Sequence, residues 1–294
     1  MNPSVLLPCG GLALAVLLTG AVRRHLRSGA ATRALTGIAV GSALGVIWAL
    51  ALIVFDAAAS EPRVVRYAEW CRVATPSHHP VPLGLGGLAA GLLMVGAARA
   101  GLTLHRHRRR DAAWPSNGPV DIVDSFEPMA FAVPGRPGTV VVSTAMLGAL
   151  RGQERDALLA HEHAHLRWNH HRYIRATEVA AAFLPLLRPL VAQVRFETER
   201  WADEEAARVT DDRTVVATAV ARAAVARADG SDLAMGRVGV VERVDALLQP
   251  GPVATTLTKI ALVGACAAVV IGLASATIQL HHLVTFASHV CTEG

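Results

Sequence analysis

The sequence predicts a mainly α membrane protein in which four transmembrane helices frame a cytoplasmic α+β domain. Three observations carry that expectation. Hydrophobic residues make up 52% of the 294 positions and aromatic residues only 4%, more apolar content than an ordinary soluble domain carries. Four runs, 5–22, 35–55, 81–104 and 260–280, are long enough to cross a bilayer, and the one charge among them is Arg99. Between the third and fourth runs, residues 158–169 read Leu-Leu-Ala-His-Glu-His-Ala-His-Leu-Arg-Trp-Asn, with His-Glu-x-x-His at His161, Glu162 and His165.

The first run is followed by Arg23, Arg24 and Arg27, the reverse of a signal peptide, whose positive charges precede its apolar stretch. It reads as a retained span with its N-terminus outside. The second run follows that basic segment, which the positive-inside rule places in the cytoplasm, so 56–80 is an external loop and its His78-His79 pair is solvated. In the third run Arg99 lies near enough to the inner end to snorkel, and Arg106, Arg108, Arg109 and Arg110 after it form the strongest cytoplasmic signal. Arginines abutting spans set topology, so the net charge of +5 does not imply nucleic-acid binding. The fourth span leads to a short external tail. This organisation divides the chain into 1–104 with three spans, a cytoplasmic portion 105–258, and 259–294 with the last span, both termini outside. Lys259 is the only lysine, and the abundance of Ala, Arg, Gly and Val fits high-G+C bacterial coding, hence a bacterial plasma membrane. Cys71 and Cys291 both fall in external segments, where a disulfide and two unpaired thiols remain equal alternatives.

In the cytoplasmic portion, 120–123, 129–133 and 139–142 are short apolar runs separated by Pro134-Gly135 and Pro137-Gly138, which predicts a small antiparallel sheet or meander. Ser143 or Thr144 can cap a short helix ending near Gly152, and a longer helix over 153–169 carries the histidine motif. Residues 177–194 are apolar but hold Glu178, Arg188, Pro185 and Pro189. A span here would strand Glu199 on the opposite face from His161, so the segment reads as a broken helix, packed at the membrane surface or re-entrant. A further helix covers 210–227, and 228–238, with Gly230 and Gly236, reads as a mobile loop.

Residues four apart on a helix share a face, so His161 and His165 can present ring nitrogens to one zinc ion while Glu162, about 100° round the helix, reaches a water there without ligating. A zinc hydrolase needs a third protein ligand and one open position. Glu199 can complete the set, and Asp203, one turn on, can accept a hydrogen bond from a ligand histidine or fix the ligand helix. The plain alternative is an acidic solvated face, with Glu199 paired to Arg195 and Glu204 to Arg200 or Arg208. His163 points away from His161, and His170 and His171 lie past the helix end, so none is expected to ligate.

The run 120–135, the Val-Val-Val-Ser before the motif helix and Glu-x-x-Ala-Asp from Glu199 to Asp203 resemble BlaR/MecR-type membrane metallopeptidases, peptidase family fifty-six. The HtpX-type and CAAX prenyl proteases share these metal motifs. The resemblance covers about 120–248 and implies a gluzincin-like domain binding one zinc ion through His161, His165 and Glu199, with Glu162 as general base and Asp203 in support. The stretch Glu-Arg-Val-Asp-Ala-Leu-Leu from Glu242 resembles a late motif of both families, making Arg243 an ion-pair partner. Arg243 and His170 are the candidates for oxyanion support. A large external sensor of the BlaR/MecR kind is not expected after the last span.

The expected activity is metal-assisted peptide hydrolysis, with Glu162 taking the proton of the attacking water and passing it to the leaving amine. The expected partners are the lipid bilayer and a peptide or protein substrate: a cytoplasmic repressor, the protease itself or a membrane protein under quality control. Two rivals remain, a silent membrane signalling protein that keeps the fold and a metal transporter. The first has no evident need for Glu162, and the second needs ligands inside its spans, which these runs lack.

Overall fold

A computed structural model describes residues 26–59, 81–111, 118–228 and 233–249, with the single position 264. The expected spans 5–22 and 260–280, the loop from residue 60 to 80, all four cysteines, and His281, His282 and His289 lie outside the described residues. The two remaining runs form helices α1 (Ser28–Ala59) and α2 (Leu83–Asp111), which pack against each other. Both are long and apolar enough to cross a membrane.

Strands β1 (Val120–Val123), β2 (Ala130–Val133) and β3 (Thr139–Ser143) make one sheet in the order β1-β3-β2. The sheet is mixed, which corrects the expected antiparallel meander: β2 pairs antiparallel with β3, but β1 runs parallel to it. After β1 the chain crosses to the far side before forming β2, and the Pro134–Gly138 turn returns it between its two neighbours. That central place explains the uninterrupted Val140-Val141-Val142, each 1% exposed or less, since a strand covered on both faces needs no polar alternation. Ser143 then ties sheet to helix, its Oγ accepting the N–H groups of Met129 at 3.0 Å and Met146 at 3.1 Å. The second bond caps α3 (Thr144–Ala149).

Helix α4 (Gln153–Arg167) carries the histidine motif and stops two residues short of the expected end, at the left-handed Asn169. Helix α5 (His170–Phe183) follows at once; a 3₁₀ turn at Pro185–Leu187 joins it to α6 (Arg188–Thr210). Pro185 and Pro189 sit in the first turns of their helices, where the missing N–H costs nothing. The apolar segment 177–194 is therefore the tip of a helical hairpin, and Glu178 near one end of it pairs with Arg195 near the other. Leu187, Leu190 and Val194 pack on Leu35, Ile38 and Ala43 of α1. On the other side Gly96 of α2 leaves room for the Phe183 ring, which a Cβ there would meet at 2.5 Å.

Helices α7 (Arg213–Ala228) and α8 (Leu233–Leu248) complete the domain. The second corrects the mobile loop expected over 228–238: despite its glycine, Leu233 onward is helical. Arg213 holds α8 to α6: its guanidinium forks onto Glu204 at 2.7 and 2.9 Å and donates to the carbonyls of Ala246 and Leu247. Those carbonyls are among the last of α8, which have no partner within the helix. The motif helix α4 lies where two cores meet, Leu158 toward the sheet and Ala157 toward α6, α7 and α8.

Candidate metal centre

Helix α4 begins at Gly152, which offers no capping side chain, and Glu154 in its first turn reaches back to accept the Arg151 N–H at 2.9 Å, tying the entering chain to the helix. Glu154 and Asp156 in the first turn and His165 and Arg167 in the last also suit the helix dipole. The face turned to the core buries Ala157, Leu158, His161, Glu162 and Ala164. This burial fixes the two histidine rings one turn apart.

The α5–α6 hairpin returns the chain to the same end of the domain and sets Glu199 against them. Nε2 of His161 and Nε2 of His165 are 3.2 Å apart, and each lies 3.5 Å from a Glu199 carboxylate oxygen. A tetrahedral ion with bonds of about 2.0–2.2 Å has edges between ligands of about 3.3–3.6 Å. The two 3.5 Å distances run to different Glu199 oxygens, and one ligand atom from each of the three side chains lies within 4.8 Å of the others, close to the spacing of such corners; two imidazoles with one carboxylate are a zinc donor set. The expected pairs of Glu199 with Arg195 and of Glu204 with Arg200 or Arg208 are not formed: Arg195 pairs with Glu178 and Glu204 with Arg213, while Arg200 and Arg208 take Glu197 and Glu205 instead.

Each histidine uses its other nitrogen outward. Nδ1 of His161 is 3.0 Å from Asp203 Oδ1, and Nδ1 of His165 is 2.9 Å from Nδ1 of His170. Arg243 from α8 grips Asp203 with two bonds of 2.7 Å and places Nη1 3.0 Å from Glu199 Oε2. His170 is fully buried, its ring 4.8 Å from that of Trp201, which in turn packs on Trp168 and carries Arg33 of α1 over its face.

The charges in this cluster follow from those contacts. Burial opposes the charged form of His161, but the bond to Asp203 and the Glu199 carboxylate outweigh it and raise the pKa to about 10. Burial and the positive His161 beside it lower His165 to about 4, and burial with the charge of His165 lowers His170 to about 3. Glu199 and Asp203 are both held below their usual values: burial works against this, and the His161 and Arg243 contacts prevail. The pocket is built to keep positive charge between His161 and two carboxylates.

Glu162 is the exception. Burial pushes its pKa up, against the pull of His161, and among the described residues it makes no hydrogen bond. It lines a cleft of about 340 Å³ together with His161, His165 and Glu199. One wall of the cleft is the edge strand β2, from Ala130 to Ala132; the opposite wall is α7, where Val220 and Ala223 leave an apolar surface and Arg227 donates to the Ala130 carbonyl.

The structure brings His161, Glu162, His165, Glu199, Asp203 and Arg243 into one cluster. His170 departs from its expected place: as a fully buried ring it cannot reach a substrate oxyanion, and it contacts a metal-site histidine instead. Arg243 also differs from an oxyanion donor, since its guanidinium is engaged by the two carboxylates. His163 is turned away, its Nδ1 2.7 Å from the Leu159 carbonyl. Sequence reasoning missed Trp201 and Arg227. Trp201 lies two residues from Glu199 and from Asp203, the spacing that turns a side chain to the opposite flank of the helix, and only that offset hinted at a packing role.

A His-Glu-x-x-His helix, a carboxylate from the following long helix and a small sheet alongside define a metallopeptidase. Residues 106–256 match the family model of Peptidase family M48, half of the chain, and the chain belongs to that family. The family includes the HtpX-type and CAAX proteases, and its members are zinc metalloproteases. No curated protein and no solved structure gives a match.

Proposed function

We propose that this chain is a zinc-dependent endopeptidase held in a bacterial membrane and cutting peptide bonds at the cytoplasmic face. The observation that carries the reading is the spacing of His161, His165 and Glu199, with a Glu162 that makes no hydrogen bond among the described residues beside them in an open cleft. Zinc, when bound, supplies a Lewis acid that polarises the scissile carbonyl and acidifies a water. Glu162 takes the proton from that water and later delivers it to the leaving amine; its raised pKa makes it a better base than an ordinary carboxylate. Asp203 and His170 fix the ring orientations of His161 and His165, and Arg243 fixes Asp203 and Glu199. The β2 edge beside the cleft favours an extended substrate pairing as an added strand.

The membrane setting rests on α1 and α2. Leu85, Leu88, Leu92, Val95 and Leu102 of α2 are all exposed, an apolar surface suited to lipid and ill suited to water. A BlaR/MecR-type role, with a repressor or the protease itself as substrate, is the narrower form of this reading, supported by the likeness in motifs. Quality control of membrane proteins is its alternative, suggested by a metallopeptidase domain packed against two helices long and apolar enough to cross a membrane. Comparing the proteomes of cells carrying wild type and Glu162→Gln tests both. Retained zinc with a set of uncut proteins supports the peptidase, and unchanged cleavage removes Glu162 from its role. Zinc content unaltered by Glu199→Ala removes the third ligand.

A further inference from the structure

A second cleft, of about 470 Å³, opens between α2 and the α5–α6 hairpin, away from the metal centre. Arg99, Thr103 and Arg106 of α2 line one side; Glu178 of α5 and Arg188 of α6 line the other. Glu178 is the only acid in that lining and is already engaged, by Arg195 and by His107 Nε2 at 2.8 Å. None of Arg99, Arg106 and Arg188 forms a side-chain ion pair or hydrogen bond among the described residues. Three arginines therefore line one cavity whose single acid is already paired with Arg195, an arrangement that costs repulsion unless an anion sits there.

We propose that this cleft holds the phosphate headgroup of an anionic phospholipid. The proposal rests on reading α2 as a span. Arg106 lies seven positions after Arg99, about 10 Å along the helix axis, enough to reach across the headgroup layer of about 5–8 Å on one side of a bilayer. Arg99 still lies in the apolar run, whereas Arg106 opens the basic segment, so the pair straddles the boundary between acyl chains and water. Beside the arginines are the exposed side chains of Leu102 on α2 and Leu186 at the hairpin tip. A positive base with an apolar flank matches a lipid; a free phosphate would use only the first. Arg188 also opens α6, whose first turn adds partial positive charge. The bound lipid ties the hairpin that carries Glu199 to its neighbouring span. Basic pockets beside spans on the cytoplasmic side recognise such headgroups.

The test uses the full chain in detergent, with native mass spectrometry of lipid retention. Phosphatidylglycerol and phosphatidylcholine are offered in equal amounts to wild type, to Arg106→Gln/Arg188→Gln and to Arg108→Gln/Arg109→Gln. All four arginines are exposed, so neither pair disturbs the core. Wild type and the Arg108/Arg109 pair are expected to prefer phosphatidylglycerol about tenfold, and the Arg106/Arg188 pair to lose that preference. An equal loss in both pairs, or no preference in wild type, overturns the site. Displacement of the lipid by millimolar inorganic phosphate overturns the lipid as its occupant. Alkaline carbonate washing of cell membranes is run in parallel. A chain that stays in the membrane without lipid preference refutes this site alone, and one that washes off refutes the span.

Discussion

Arg243 and Asp203 form a two-pronged ion pair, Nε to Oδ2 and Nη2 to Oδ1, both 2.7 Å, and the same guanidinium reaches Glu199 with its remaining nitrogen. One side chain from the last described helix thereby sets both the carboxylate proposed to ligate and the carboxylate behind His161. A lysine keeps the charge but has neither the fork nor the reach to serve two carboxylates. Arg243→Lys is expected to keep the fold and lose about 10–100-fold in zinc affinity, read by competition with a chromophoric chelator. Affinity equal to wild type would show that Arg243 only anchors α8.

His170 is predicted to matter to the metal while touching neither metal nor substrate. A ring that ligates through Nε2 carries its proton on Nδ1, and His170 Nδ1 is the acceptor 2.9 Å away. His170→Phe keeps the packing on Trp201 and removes the acceptor. Zinc affinity is expected to fall by about 10-fold or more with little change in melting temperature. A loss of melting temperature with unchanged affinity would assign His170 to the core alone.

The third prediction concerns the contact between α1 and the site. A Cβ added at Gly29 would stand 2.8 Å from Trp201 Cε2, against a buried ring that packs on His170. One at Gly37, two turns on, would meet nothing within 4 Å. Gly29→Ala is expected to cost about 1–3 kcal/mol through overpacking, with part of the effect passed to zinc affinity through His170. Gly37→Ala should be neutral or stabilising by up to about 1 kcal/mol. Thermal melts of the two variants in the same detergent decide it, and equal melting temperatures would sink the idea that α1 is fitted to Trp201.

These contacts also mark what the sequence could and could not convey. His161, Glu162 and His165, and Glu199 with Asp203, were legible because each set lies on one helix, where spacing alone fixes the shared face. The pairing of His170 with His165 was not, because a left-handed Asn169 lies between them and turns the chain at an angle no periodicity reports. Nor was the sheet order: the short apolar runs gave three strands, but direction depends on the crossover before β2. The start of helix α8 was hidden by Gly230 and Gly236; the poor propensity of Gly236 within the helix is overridden by packing of Leu247 in the core and by the Arg213 clamp on its last carbonyls.

The last prediction concerns pH in the chelated protein. Without metal, Asp203 and Glu199 hold a proton on His161, whose pKa rises from the usual 6.5 to about 10. A group with a raised folded-state pKa adds stability in full below its unfolded value, and that stability fades as pH climbs through the folded one. Protein treated with a chelator is therefore expected to lose stability steadily from about pH 6.5 to pH 10. With zinc in place the metal occupies the position of the proton, and the loss over the same interval should be much smaller. Binding near pH 7.5 should release about one proton, measurable by calorimetry in buffers of different ionisation enthalpy. His161→Gln should remove both the slope and the proton. A slope that persists in His161→Gln would place the titration elsewhere and detach the electrostatics of the cluster from the ring that anchors it.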